Sequence, residues 1–242
     1  MLIRNKGLVK TVQFKNGKYV GDPINAVKIF NEKQVDELIV LDIDATKEGR
    51  EPDYRMIGNL AAECRMPFCY GGGITTTEQA SRIISLGVEK VSLSAATISN
   101  LKLASEIVKE IGTQSVVITL DIKKRGLFDK YEVFTHNGTR KTGKDPFEFA
   151  RELEALGAGE IVINSIDNDG MMKGYDLALI KKMRDSINVP MTVLGGAGHL
   201  DDIRGLIDQY HIIGAAAGSL FVFKGVYRAV LINYPNAFEI AR

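Results

Sequence analysis

A chain of 242 residues, 45% hydrophobic and 25% charged, has the apolar content of an ordinary folded core and the length of one eight-stranded α/β barrel. Its formal charge of +1 gives no electrostatic reason to expect nucleic acid or an anionic membrane as a partner. The longest apolar run, Ile212 to Phe223, is too short to span a bilayer, the N-terminus has no signal-peptide core, and Cys64 and Cys69 read as reduced thiols, so a cytoplasmic setting is expected.

Along the chain, short β-branched runs alternate with amphipathic stretches, the pattern of a parallel sheet covered by helices. Strands are predicted at about 37–43, 66–70, 89–93, 115–121, 160–165, 190–194 and 212–217. Helices are predicted between them. One runs from Asp22 to Lys33; another, Thr76 to Leu86, has threonine N-cap candidates at 75–77 and Gly87 past its end. A third, Phe147 to Leu156, is opened by Pro146 and closed by Gly157. That makes seven strands, and a barrel needs eight. Ile3 to Leu8 resembles Ile122 to Leu127, which makes Met1 to Arg4 the stub of a first strand. Either the barrel closes on a stub or the chain has lost its natural beginning.

A weak internal repeat of 123 residues supports this. Glu37 to Asp44 aligns with Glu160 to Asp167, and Pro67 to Gly73 aligns with Pro190 to Gly196. A period this long is half a domain rather than a solenoid unit. The expected fold is therefore a single (β/α)8 TIM barrel of two similar half-barrels, about 1–110 and 111–242, with no linker between them.

The repeat also marks candidate sites. Gly71-Gly72-Gly73 and Gly195-Gly196-Ala197-Gly198 each lie between a strand and a helix, where bare backbone N–H groups can approach an anion. Gly218-Ser219 follows the last strand, where barrels commonly complete a phosphate site with a short helix. Ser94-Ala95 and Gly170 are natural additions. A single such turn is as readily explained as a tight connection. Two at matched positions predict a substrate with a phosphate at each end.

Asp42, Asp44, Asp121 and Asp167 end predicted strands, and Asp169 follows in the next loop. Barrel enzymes place acid–base groups there, and Asp121 is the sharpest candidate, with an N-cap or turn role as its bland alternative. Asp44 and Asp167 could equally order loops. Glu37, Lys90 and Glu160 begin strands, so they would ring the barrel floor as mutually compensating charges, either a polar plug or a gate. His136, His199 and His211 have no metal-ligand spacing, and neither a metal nor a cofactor is expected.

With Asp42-Ile43, Gly71 to Ile74, Asp121, Ser165 to Gly170, Gly174-Tyr175-Asp176 and Gly195 to Gly198 in place, the chain resembles the cyclase subunit of imidazole glycerol phosphate synthase over nearly its whole length. The resemblance implies a barrel that takes ammonia from a docked glutaminase through its floor. The ammonia reacts at the top with a bisphosphorylated ribulosyl aminoimidazole, giving imidazole glycerol phosphate and an aminoimidazole carboxamide nucleotide. It implies that Asp121 is catalytic. Gly73, Ser94 and Ala95 match one phosphate site, and Gly170, Gly196, Gly218 and Ser219 the other. Glu37, Lys90 and Glu160 match members of the ammonia gate, and Lys10 matches a lysine in the mobile loop after strand one.

The departures are informative. The family's second catalytic aspartate aligns with Leu2, its gate arginine would precede Met1, and its usual Asn-Thr at strand four is Ser94-Ala95, which lacks the threonine's hydroxyl donor at position 95. The segments Gly7 to Phe14 and Tyr19 to Pro23 look more like a paralogous branch, which works beside a glutaminase and a sugar amidotransferase in making amidino sugars of surface polysaccharides. The favoured expectation is an ammonia-conducting subunit serving sugar amidation. Its alternatives are a true cyclase of histidine biosynthesis and a stand-alone sugar-phosphate isomerase.

Overall fold

The computed structural model describes residues 1–126, 130–236 and 239. Eight parallel strands lie in a curled sheet, numbered here in chain order: β1 Leu2–Arg4, β2 Leu38–Asp42, β3 Phe68–Gly71, β4 Lys90–Leu93, β5 Val116–Arg125, β6 Glu160–Ser165, β7 Met191–Leu194 and β8 Gly214–Ala215. Each pairs with the next, from Leu2 beside Leu41 to Thr192 beside Gly214, and helices fill the connections. This sequential order is that of the (β/α)8 barrel. Among the described residues no ladder joins β8 to β1; the other edge of β1 pairs with Gly7–Val12, antiparallel.

Local chemistry explains the helices. The Asp22 carboxylate accepts from the Asn25 N–H at 2.9 Å and Pro23 presets the first turn of helix Pro23–Glu32, which buries Ala26, Val27 and Phe30. Thr76 and Gln79 cap each other's backbone at the start of helix Thr77–Ser85. Asp145 accepts from the N–H groups of Phe147 and Glu148, opening helix Pro146–Ala155 over Phe149, Ala150 and Leu153. Each cap contributes about 1 kcal/mol.

Two expectations need correction. β5 does not stop at Asp121 but runs on to Arg125, because Lys130–Thr135 returns antiparallel and satisfies its backbone, with Asp121 opposite Phe134. The residues after β8 make one turn, Ser219 accepting from the N–H groups of Val222 and Phe223, before a hairpin pairing Phe223–Lys224 with Ala229–Val230. No helix is present there among the described residues. The connection after β1 is a hairpin, Gly7–Val12 with Lys15–Gly21. Leu127, the last residue of the match that located the stub, lies outside the described residues.

Strand alternation turns every second side chain into the bore, in layers. Glu37, Lys90, Glu160 and Thr192 form the lowest. Above them Cys69, Val117 and Val162 pack with Ile39 and Leu194 in an apolar layer. A polar layer follows: Ser92 and Thr119 hydroxyls 2.7 Å apart, and Asn164 beside Asp121.

Candidate functional site

At the floor, the Lys90 ammonium reaches Glu37 at 2.9 and 3.2 Å and Glu160 at 2.9 Å, and the Thr192 hydroxyl donates to the other Glu160 oxygen at 2.6 Å. Burial works against the lysine's charge, but its hydrogen bonds to the two glutamates outweigh that and hold its pKa above the usual range. Each charged group of the ring has a partner within it, although two carboxylates face one ammonium.

One cavity of about 520 Å³ touches both ends of the barrel. At the floor it is lined by Glu37, Glu160 and Thr192. Toward the mouth it is lined by Lys10, Gly72, Gly73, Ser94, Ala95, Asp121, Asp169, Gly170, Gly195, Gly196, Gly218 and Ser219. Every expected site residue except Lys90 lines it; Lys90 is joined to it through the two glutamates.

The carboxylates at the strand ends sort by their partners. Asp42 accepts from the backbone of Asp44 and Ala45 and from the Arg50 guanidinium at 3.3 Å. Asp44 holds Arg4 at 2.6 Å and Asn137 at 3.0 Å, and Asp167 accepts from the Lys124 N–H at 2.9 Å. These three tie loops together. Among the described residues Asp121 has one side-chain partner, the Asn164 amide at 3.1 Å. Burial pushes its pKa up to about 7; the Asn164 hydrogen bond opposes this and the charge of Asp169 adds to it. A carboxyl that exchanges its proton near neutrality is suited to acid–base work.

The glycine turns have the geometry an anion cradle needs. Gly72 and Gly195, one repeat step apart, have φ of +121° and +96°, and Gly73 and Gly196 have +74° and +121°. A Cβ on Gly196 would lie 2.1 Å from the Gly174 carbonyl, so no side chain fits without moving backbone. On Gly218 a Cβ would lie 2.0 Å from the Lys10 ammonium, which rests against this turn. Lys10 is only 9% exposed. Burial lowers its pKa to about 8, against the opposing pull of Asp169.

A roof covers the mouth. The Thr11 hydroxyl donates to Asp169 at 2.8 Å, as does the Phe14 N–H at 3.3 Å, and the Gln13 N–H donates to the Asp169 carbonyl at 2.8 Å. The hairpin carrying Lys10 is thus latched to the loop after β6. Arg228, on the hairpin after β8, donates to the Gly170 carbonyl at 2.9 Å.

Sequence reasoning missed several polar residues. Thr192 completes the floor ring. Asn164 holds Asp121, and its signal was available: in the repeat it stands opposite the apolar Leu41. His136 and Asn137 line the cavity from a turn after the strand that pairs with β5, a placement no local pattern revealed. The other two histidines stand at the ends of helix Leu200–Tyr210, His199 at its start and His211 past its end.

The histidine biosynthesis protein family matches residues 2–228. A Vibrio vulnificus protein, provisionally named imidazole glycerol phosphate synthase subunit hisF3, is 60% identical over 239 residues, 99% of this chain and 92% of its own length. A Leptospira interrogans protein with the provisional name imidazole glycerol phosphate synthase subunit HisF is 57% identical over 98% of this chain and 93% of its own length. A Petrotoga mobilis protein named imidazole glycerol phosphate synthase subunit HisF is 40% identical over 94% of this chain and 89% of its own length.

Proposed function

Because the chain belongs to the histidine biosynthesis protein family, as a HisF-like cyclase-type member, we propose that it is the barrel subunit of a glutamine-dependent amidotransferase complex. In this reading a glutaminase docks beneath the floor. Its ammonia enters past Glu37, Lys90 and Glu160, and the bore shields it from bulk water, where it would be protonated. The observation that carries the reading is the single cavity touching both the floor glutamates and the glycine cradles around Asp121. The half-barrels, about 1–110 and 111–242, each supply one phosphate grip: Gly72, Gly73, Ser94 and Ala95 in the first, and Gly170, Gly195, Gly196, Gly218 and Ser219 in the second.

We take the nitrogen to be destined for a phosphorylated sugar-type acceptor in surface polysaccharide synthesis, in the cytoplasm, in concert with a sugar amidotransferase. Leu2 supports this over histidine biosynthesis, since it stands where the cyclases that this chain resembles carry their second catalytic aspartate. Retention of Asp121 with both cradles favours the second reading, a true cyclase. Co-purification with the glutaminase encoded in the same genome tests the shared part, by comparing glutamate released with nitrogen incorporated. Should no such glutaminase bind, the conduit fails and a stand-alone sugar-phosphate enzyme becomes the better account.

A further inference from the structure

Amination at a carbonyl needs two proton-transfer groups, and with Leu2 on β1 the mouth has, among the described residues, a single strand-end carboxyl, Asp121, not committed to holding loops. A side chain outside the barrel strands lines the same cavity. β5 and Lys130–Thr135 are paired antiparallel with Asp121 opposite Phe134, so His136 follows two residues beyond the partner of Asp121. It lines the cavity together with Asp121 and Leu2.

The turn that carries it is strained and anchored. His136, Asn137 and Gly138 have φ of +53°, +57° and +71°, left-handed at three successive residues, two of them not glycine. Asn137 fixes the turn by donating to Asp44, and Gly138 leaves room for Phe14 and Ile166, which a Cβ would meet at 3.2 and 3.3 Å. The ring Nδ1 lies 3.0 Å from the Thr135 hydroxyl. With Nδ1–H assigned as the donor there, Nε2 carries the lone pair.

We infer that His136 is the second proton-transfer group of this mouth, acting together with Asp121 in the role that a carboxylate in place of Leu2 would otherwise fill. The inference rests on the reading that ammonia emerges at the mouth, and it makes this chain the place where the C–N bond forms. The ammonia lone pair bonds to the carbonyl carbon of an anionic keto sugar phosphate. The C=O π pair moves to oxygen, which takes the Asp121 proton, and the cationic nitrogen gives one proton to His136 Nε2. The product is a carbinolamine, and a proton returned from His136 to Asp121 through solvent resets both. The charged group acting directly on the imidazole is Arg140 on its own hairpin, with Asp44 reached through the neighbouring Asn137, while Lys10, Asp121 and Asp169 line the same cavity. Burial, with Arg140, lowers the His136 pKa, which favours the neutral ring that a proton acceptor needs.

The test uses the full chain with the bisphosphorylated ribulosyl aminoimidazole and ammonium chloride at fixed free ammonia, so glutaminase docking plays no part. His136→Gln is expected to lower kcat roughly 100-fold with KM within about threefold, and to remove the acidic limb of the kcat–pH profile. His199→Gln, at a helix start, should change neither. In the parent, the His136 imidazole nitrogens should titrate below 6.5 by NMR and shift on adding the substrate. A parent inactive with ammonium, a His136→Gln variant with parental rate and profile, or imidazole signals unmoved by substrate would overturn the inference. Turnover with ammonium but not with glutamine plus glutaminase would sink the conduit reading and leave His136 standing.

Discussion

The floor and the mouth of this barrel use similar residues to opposite ends. Below, one lysine, two carboxylates and a threonine satisfy one another within 3.2 Å. Above, Asp121 has one neutral partner and Lys10 rests on a glycine. Despite burial, hydrogen bonds to the two glutamates hold the Lys90 pKa above its usual range, whereas burial pushes Asp121 up and Lys10 down, to about 7 and about 8. On the proposed function, proton exchange is assigned to the mouth and passage of ammonia to the floor.

The sharpest way to break this contrast is Asp121→Asn. It should cut ammonia-dependent turnover by roughly 10²–10⁴-fold, as loss of a general acid–base group does. Stability should move the other way. The folded pKa of about 7 exceeds the unfolded carboxylate value, so the native state holds the extra proton, and stability falls as pH rises between them. The variant should therefore gain about 2–4 kcal/mol at pH 8, and the gain should vanish near pH 4. Thermal melts at both pH values check this, and equal gains would mean that Asp121 is not buried as a charge.

Lys90→Ala tests the floor. Glutamine-driven product should fall while ammonium-driven product stays, because the gate loosens and the mouth is untouched. With Lys90 a quarter exposed, the uncompensated glutamates should cost only about 1–2 kcal/mol in urea unfolding. The raised pKa of Lys90 makes its contribution constant below the unfolded lysine value, so the cost should be flat from pH 6 to 9. A cost that varied with pH in that window would erase the distinction between the two ends.

How legible this was follows from where each signal lies. The strands and the glycine turns were readable because β-branching and glycine are local, and Glu37, Lys90 and Glu160 because a strand's first inward residue faces the floor. The extension of β5 was not, since Lys123, Lys124 and Arg125 look like a solvated loop until Lys130–Thr135 supplies a partner. Neither was the role of the strand-end aspartates: Asp42 and Asp121 read alike in sequence, and it is Arg50, eight residues beyond Asp42, with the backbone of Asp44 and Ala45, that separates a structural carboxylate from an uncommitted one.

Gly218→Ala is smaller in effect and specific to the second cradle. The added methyl would displace the Lys10 ammonium, the flexible end of a long side chain, so folding should survive. Phosphate affinity should drop by one charge-assisted hydrogen bond, roughly 1.5–3 kcal/mol, in calorimetry with a bisphosphorylated sugar. Gly196→Ala, which meets the Gly174 carbonyl, should instead lower the melting temperature. At the first cradle Ala95→Thr should strengthen binding by supplying the missing hydroxyl, and Ser219→Asp should weaken the second by repulsion.

The smallest expected effect lies in the roof, and it separates a latched hairpin from a loop that merely rests on the barrel. Thr11→Val keeps the shape and removes one hydrogen bond to Asp169, leaving the Phe14 N–H on the same carboxylate oxygen and the Gln13 N–H on the Asp169 carbonyl. A single bond to a charged acceptor is worth about 1.5 kcal/mol at the low end, so hairpin opening should become roughly tenfold more frequent. Amide exchange at residues 9–19 should quicken by that factor, while exchange in β5 and β6, which opens only with the barrel, should not change. Acceleration confined to the hairpin fixes Asp169 as its latch; acceleration spread through β5 and β6 would mean that Thr11 supports the barrel itself.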